Sequence, residues 1–168
     1  MILDFLKKFL LKKKSDSFDY KFFQDMHIFK YFSDREIDDI STLFIYKRFK
    51  KDEIIFRENF PQVVLYIVQS GKVRLYQNKD DIEIQIAELS EKMMFGEIGL
   101  FIDVNRVFSA SALEDTVLIA INKTDIISFM KIHHGTAIKL LWNLGEYISS
   151  AYLESNIFLK DYEIKKYN

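Results

Sequence analysis

Apolar residues change their period along this chain, and each change predicts an element. In residues 2–14, ILDFLKKFLLKKK, Ile2, Phe5, Leu6, Phe9 and Leu10 fall at helical spacing, while Lys7, Lys8, Lys12, Lys13 and Lys14 gather mostly on another face. That pattern predicts a short basic amphipathic helix, which can anchor on a membrane surface or partner, dock on its own domain, or stay solvated. Ser33-Asp34-Arg35-Glu36 has the form of a capping box, and Ile37, Ile40 and Leu43 supply an apolar stripe behind it, so a helix is expected from about 34 to 43. From Phe44 to Ile121 the pattern becomes short β-rich runs: FIYKRF, EIIF, VVLYIV, KVRLYQ, IEIQIAEL, FSASAL and TVLIAI. Val73 and Leu75 alternate with polar neighbours, and Ile82, Ile84 and Ile86 repeat the alternation. Many short strands joined by turns predict a mainly β fold with flanking helices, an antiparallel β-roll or jelly roll. Helical periodicity returns after Lys123 and predicts helices over 124–132 and 136 to about 158, with Gly135 suited to the left-handed end of the first. The last residues, KDYEIKKYN, are polar and expected to be loose. The expected organisation is therefore an extension over 1–17, one domain over 18–158 and a tail over 159–168.

One stretch breaks the strand pattern, Phe95-Gly96-Glu97-Ile98-Gly99-Leu100-Phe101-Ile102-Asp103-Val104-Asn105-Arg106-Val107-Phe108-Ser109. It inserts a helical turn into the roll. A glycine lets backbone approach a ligand, and free N–H groups opening a helical turn favour an anion. Arg106, nine residues after Glu97, offers a planar fork that matches phosphate oxygens, and Glu97 is an acceptor suited to a sugar hydroxyl. By spacing alone, a Glu and an Arg in one loop more often form a structural ion pair.

FGEIGLFIDVNRVFSASA resembles the phosphate-binding cassette of the cyclic-nucleotide-binding domain family, which includes catabolite-activator-type regulators, kinase regulatory subunits and gated channels. The resemblance extends from about Phe29 to Glu154: FSDREIDDISTLFIYKRFKKDEIIF is similar to the family's entry helix and first strands, and LYIVQSGKVRLY to its central hairpin. It implies that Glu97 accepts from the ribose 2′-hydroxyl, that Arg106 pairs with the cyclic phosphate, and that Gly96, Ile98 and Val107 line the pocket. Ser109 falls where members often carry Thr or Ser beside the phosphate and purine. The resemblance also implies that the hinge helix and the final helix close over the bound base, with Tyr147, Ser149, Ser150 and Tyr152 as candidate base contacts. This chain departs from the family at its recurrent glycines: Gly71 and Gly96 are kept, but Asp52, Asn59 and Lys92 replace others. Asp and Asn tolerate positive φ, whereas Lys92 implies a rearranged turn. Asn105 replaces the usual Pro, and Val107-Phe108 replaces two small residues; strand register is expected to decide whether Phe108 points away from the pocket.

Composition narrows the function classes. With 168 residues, 49% apolar, the chain can bury a sizeable core. A formal charge of −1 gives no global field to gather nucleic acid. The absence of Cys excludes disulfides, thiolate zinc sites and a Cys nucleophile, and fits a cytoplasmic protein. His27, His133 and His134 all lie outside the strand runs, which argues against a metal-binding cupin-like enzyme; His133-His134 is expected to end a helix. No triad has motif support, so no catalysis is expected. No helix-turn-helix pattern follows the last helix, so direct DNA binding is not expected. The reading is a stand-alone regulatory module that takes a cyclic nucleotide such as cyclic AMP or cyclic GMP and signals through an unknown effector protein, in the cytoplasm or peripherally at the inner membrane surface, with weak membrane contact through residues 2–14. A homodimer is a further expectation. The alternative is a ligand-blind interaction or dimerisation module that uses Leu140, Leu141, Trp142, Leu144 and Ile148 of the last helix.

Overall fold

The computed structural model of the chain describes residues 18–166 apart from Asp81, with side chains as far as Ser155; the basic segment 2–14 lies outside the described residues. Phe22 and Phe23 lie on a short helix, α1 (Tyr20–Gln24), capped by Asp19, whose side chain accepts from the Phe22 N–H at 3.0 Å. A 3-10 turn over His27–Phe29 buries Ile28 and Phe29. Ser33 and Glu36 form the predicted capping box, and α2 follows over Asp34–Ser41, burying Ile37 and Ile40.

The β-rich region folds into two four-stranded sheets. Its strands are β1 (Ile45–Phe49), β2 (Ile54–Phe56), β3 (Val64–Ser70), β4 (Val73–Lys79), β5 (Ile82–Leu89), β6 (Met94–Phe95), β7 (Ser109–Ala112) and β8 (Thr116–Asn122). The orders are β1-β8-β3-β6 and β2-β7-β4-β5, with antiparallel pairing throughout. A one-turn helix, α3 (Ile98–Phe101), interrupts the roll, and α4 (Lys123–Met130) and α5 (His134–Lys166) close the described chain.

The near-continuous apolar runs of β3 and β8 have a physical reason: both of their faces are covered. Leu65, Ile67, Ile119 and Ile121 pack against the helices with Phe29, Ile40, Phe129 and Leu144. Tyr66, Val68, Leu118 and Ala120, on the opposite face, join Val73, Leu89 and Phe95 inside the roll. Side chains alternate with period two, so one strand serves two cores.

Several expectations are corrected. His133-His134 does not end a helix: Lys131 caps α4, the His133 carbonyl accepts from the Ala137 N–H at 2.8 Å, and His134 begins α5. Gly135 therefore lies in the first turn of α5 instead of ending α4. The final helix continues through Lys166, past the expected end near 158. Lys92 itself adopts the left-handed region at φ 68°, as do Asp52 at 66° and Asn59 at 68°. Strain of about 1–2 kcal/mol at a non-glycine residue is offset there by contacts: the Lys92 N–H donates to Val68 O at 2.9 Å, and its ammonium pairs with Asp25 at 2.9 Å.

The last helix is tied to the entry helices by two polar clamps. Fully buried Asn143 donates to Ile28 O at 3.0 Å and to Lys30 O at 2.7 Å. Lys139 Nζ donates to Glu36 Oε2 at 2.8 Å and to Tyr31 O at 3.0 Å. Burial pushes the Glu36 carboxyl up, but hydrogen bonds from Lys139 and from the backbone and hydroxyl of Ser33 outweigh it and hold the group at about 2. A carboxyl depressed below its unfolded value stabilises the fold above the unfolded value and loses that contribution as pH falls. Stability is therefore expected to drop between pH 4.5 and about 2, by up to about 3 kcal/mol, and Glu36→Gln is expected to flatten that drop. Urea unfolding at several pH values checks it, and equal pH profiles for the two proteins would refute it.

Candidate functional site

The cassette begins where β6 meets Gly96 at φ +88°. A Cβ there would stand 2.5 Å from Val64 O, so the position needs glycine for both conformation and space. Glu97 opens α3 without capping it through its side chain. Gly99 packs directly on the Gln62 carbonyl, closer than any side chain could stand. The chain then returns along the 59–62 loop, which grips it by backbone alone: Gln62 N–H to Val104 O at 3.0 Å, Arg106 N–H to Phe60 O at 2.8 Å, and Asn59 N–H to Arg106 O at 2.8 Å. A bridge between Pro61 and Asn105 completes the grip. Arg106 is thus aimed by a fixed backbone on two sides.

These segments enclose a cavity of about 180 Å³ lined by Phe56, Gln62, Leu75, Leu89, Met94, Phe95, Gly96, Glu97, Ile98, Arg106, Val107 and Phe108. Five of the predicted residues, Gly96, Glu97, Ile98, Arg106 and Val107, line it together. Ser109 does not: it is buried on β7 and its hydroxyl accepts from the Glu58 N–H at 3.0 Å. Phe108 lines the cavity, the outcome expected if no strand register turns it away. Residues 106–108 precede β7 and are not in a strand, so alternation does not apply to them.

Arg106 is 6% exposed, yet among the described residues no carboxylate lies within ion-pair distance of it. Its guanidinium carbon sits 3.7 Å from the Phe56 ring centroid and 5.6 Å from that of Tyr66, and Nη2 donates to Val64 O at 3.4 Å. Burial lowers the pKa of its guanidinium, with Tyr66 opposing. Burial pushes the Glu97 carboxyl up, partly offset by the N–H groups of Glu97 itself and Gly96. The two residues thus share one cavity without forming the structural ion pair that spacing alone allowed. A buried charge is costly unless paired, and the arrangement offers an anion a cationic partner in Arg106 and a hydrogen-bond donor an acceptor in Glu97.

Of the candidate base contacts, Tyr147 is half-buried near Glu97: burial raises its hydroxyl first, then the charges of Glu97 and Glu154. Ser149, Ser150 and Tyr152 are exposed, and none of the four lines the cavity. Among the described residues, no cluster of His and carboxylates could hold a metal ion, and no helix is long and apolar enough to cross a membrane. Sequence reasoning missed Gln62 and Phe56, because they lie tens of residues from the cassette and reach it only through the loop grip and the β2–β7 pairing.

Fold and pocket together define a β-roll domain whose cassette presents a buried cation, Arg106, to a cavity. Residues 46–133 match the model of the family described as the cyclic nucleotide-binding domain, and the chain belongs to that family. It is 31% identical over 116 residues to the cyclic AMP receptor protein of Thermus thermophilus, a match covering 66% of this chain and 54% of that one. It is 33% identical over 85 residues to lysophospholipase NTE1 of Kluyveromyces lactis, covering 49% of this chain and 6% of that protein. The chain thus spans about half of the first relative and a small fraction of the second. Among solved structures, the Thermus thermophilus catabolite activator protein superposes with a TM-score of 0.65 at 28% identity, covering 79% of this chain and 62% of that one. The N-terminal domain of a Streptomyces coelicolor transcriptional regulator gives a TM-score of 0.70 at 21% identity, covering 77% and 94%, which bears on the fold alone.

Proposed function

We propose that this domain binds a cyclic nucleotide, cyclic AMP or cyclic GMP, as a regulatory ligand and passes the event to a partner protein without catalysing a reaction. The observation that carries the reading is the buried Arg106 guanidinium, facing the cavity without a carboxylate partner among the described residues and sharing it with Glu97. The cyclic phosphate would take Arg106, the ribose 2′-hydroxyl would take Glu97, and Gly96, Ile98 and Val107 would line the ribose-phosphate. Ser109 would reach the ligand only if its hydroxyl turned from Glu58. Closure of α4 and α5 over the base would then shift a two-state equilibrium, by no more than the ligand's preference for the closed form. Identity to a protein named as a cyclic AMP receptor makes cyclic AMP the first ligand to test.

The test is a melting series with cyclic AMP, cyclic GMP and cyclic dinucleotides. At a hundredfold excess over Kd, a ligand adds about 2.7 kcal/mol, a rise of about 5–10 °C for a chain of this size. No rise with any of them would overturn the reading.

A second reading, an interaction or dimerisation surface, rests on the exposed side of α5. Leu140 and Leu144 are buried in the core, but Trp142 is 67% and Leu141 42% exposed. That face can pair with a second copy or an effector whether or not a ligand binds. Weak membrane-surface contact through residues 2–14 belongs to the same proposal, as a second route by which the signal leaves the domain.

A further inference from the structure

What holds Arg106 is as informative as what it faces. Phe56 from β2, Tyr66 from β3 and Phe95 from β6 form a cluster whose ring centroids are 5.9, 5.9 and 5.2 Å apart, drawn from both sheets. The guanidinium lies over this cluster, 3.7 Å from Phe56. Tyr66 and Phe95 are buried, so the platform is fixed by the core. An aromatic face attracts a cation without neutralising it, and does so most strongly where water is excluded. A carboxylate in the same place would hold the arginine equally well but would cancel its charge, and a ligand would have to displace it. Among the described residues, Arg106 is also the only basic residue lining the cavity, and the other charged group there is Glu97.

We infer that the Phe56–Tyr66–Phe95 platform positions the Arg106 guanidinium in place of a counter-ion and leaves one uncompensated charge, which sets the cavity to a singly charged phosphodiester over a doubly charged phosphate monoester. The charge preference rests on the proposed function; the platform does not. A second negative charge on the ligand would meet no second cation and would lie beside the Glu97 carboxylate, in a cavity where burial makes that repulsion costly. Phe56 is in this view a positioning residue, acting on the ligand through Arg106.

The experiment uses the full chain and three variants. In ligand-free wild type, the Arg106 Nε–H NMR resonance is expected to be displaced upfield by the ring beneath it. Phe56→Leu should lose that displacement and Phe56→Tyr should keep it. By calorimetry, Phe56→Leu should bind cyclic AMP about tenfold more weakly, with Phe56→Tyr restoring the affinity. Val107→Lys, at an exposed lining position, should shift the preference between cyclic AMP and AMP toward AMP by about tenfold. An undisplaced Arg106 resonance in wild type, or cyclic AMP binding by Phe56→Leu as tight as wild type, would overturn the platform while leaving the functional reading intact. Wild type binding AMP as tightly as cyclic AMP would overturn the charge preference. Wild type that binds neither nucleotide but shows the displaced resonance would remove the functional reading and, with it, the charge preference, while the platform stands.

Discussion

Arg106→Ala is expected to weaken cyclic-nucleotide binding by about tenfold or more while the fold persists. A charge-assisted hydrogen-bonded pair contributes about 1.5–3 kcal/mol, and each 1.4 kcal/mol is about a factor of ten in affinity. Stability should change little, because two terms oppose each other. The variant loses the stacking of the guanidinium on Phe56, but it also relieves the desolvation of a buried cation that has no carboxylate partner among the described residues. Arg106→Lys should recover only part of the affinity, since an ammonium keeps the charge but lacks the planar fork and the flat face that lies on the ring. Titration calorimetry on the folded variants reads this directly. Unchanged affinity in Arg106→Ala would remove the residue from the site, and a collapse in melting temperature would show that the guanidinium holds the fold instead.

Gly99→Ala is expected to damage stability and site together. The added methyl would run into the Gln62 carbonyl and would also stand 2.6 Å from Gln62 Cγ. Backbone cannot give way there without releasing the grip that the 59–62 loop exerts on Val104 and Arg106. Overpacking of this kind costs about 1–3 kcal/mol, or about 3–10 °C in melting temperature. Because the same loop supplies Gln62 to the cavity, ligand affinity should fall as well, even though Gly99 itself does not line it. A variant that melts within a degree of wild type would show that α3 and the loop can separate freely, and that Arg106 is not aimed by this contact.

The two substitutions probe different links. Arg106 tests what the cavity can bind, whereas Gly99 tests why the arginine points into it. A loss of affinity shared by both, with a loss of stability confined to Gly99→Ala, is the pattern expected if backbone packing places the cation and the cation then does the binding.

Much of the fold is written locally. The capping box at Ser33 and Glu36 fixes the start of α2, because the two groups satisfy each other's neighbouring N–H whatever lies around them. Period-two patterns and unbroken apolar runs mark the strands, and the cassette shows itself by glycines at a place where the strand pattern stops. Two-residue β6, by contrast, has no pattern of its own to read and exists only because β3 lies beside it. The boundary between α4 and α5 departs from the expected one for a similar reason. A glycine near a helix end reads as a stop, but at Gly135 the preceding residues turn and the next helix has already begun.

Sequence by itself determined that the chain makes a β-roll with helical flanks and that Glu97 and Arg106 are its distinctive polar pair, because periodicity and turn chemistry act over a few residues. Tertiary structure alone decided that Phe56 lies under the arginine, that Phe108 faces the cavity, that Asn143 within an apolar helix face clamps a turn more than a hundred residues away, and that no carboxylate among the described residues reaches Arg106. Those are consequences of which strands pair and which loops meet, and such contacts join residues whose separation along the chain carries no local signal.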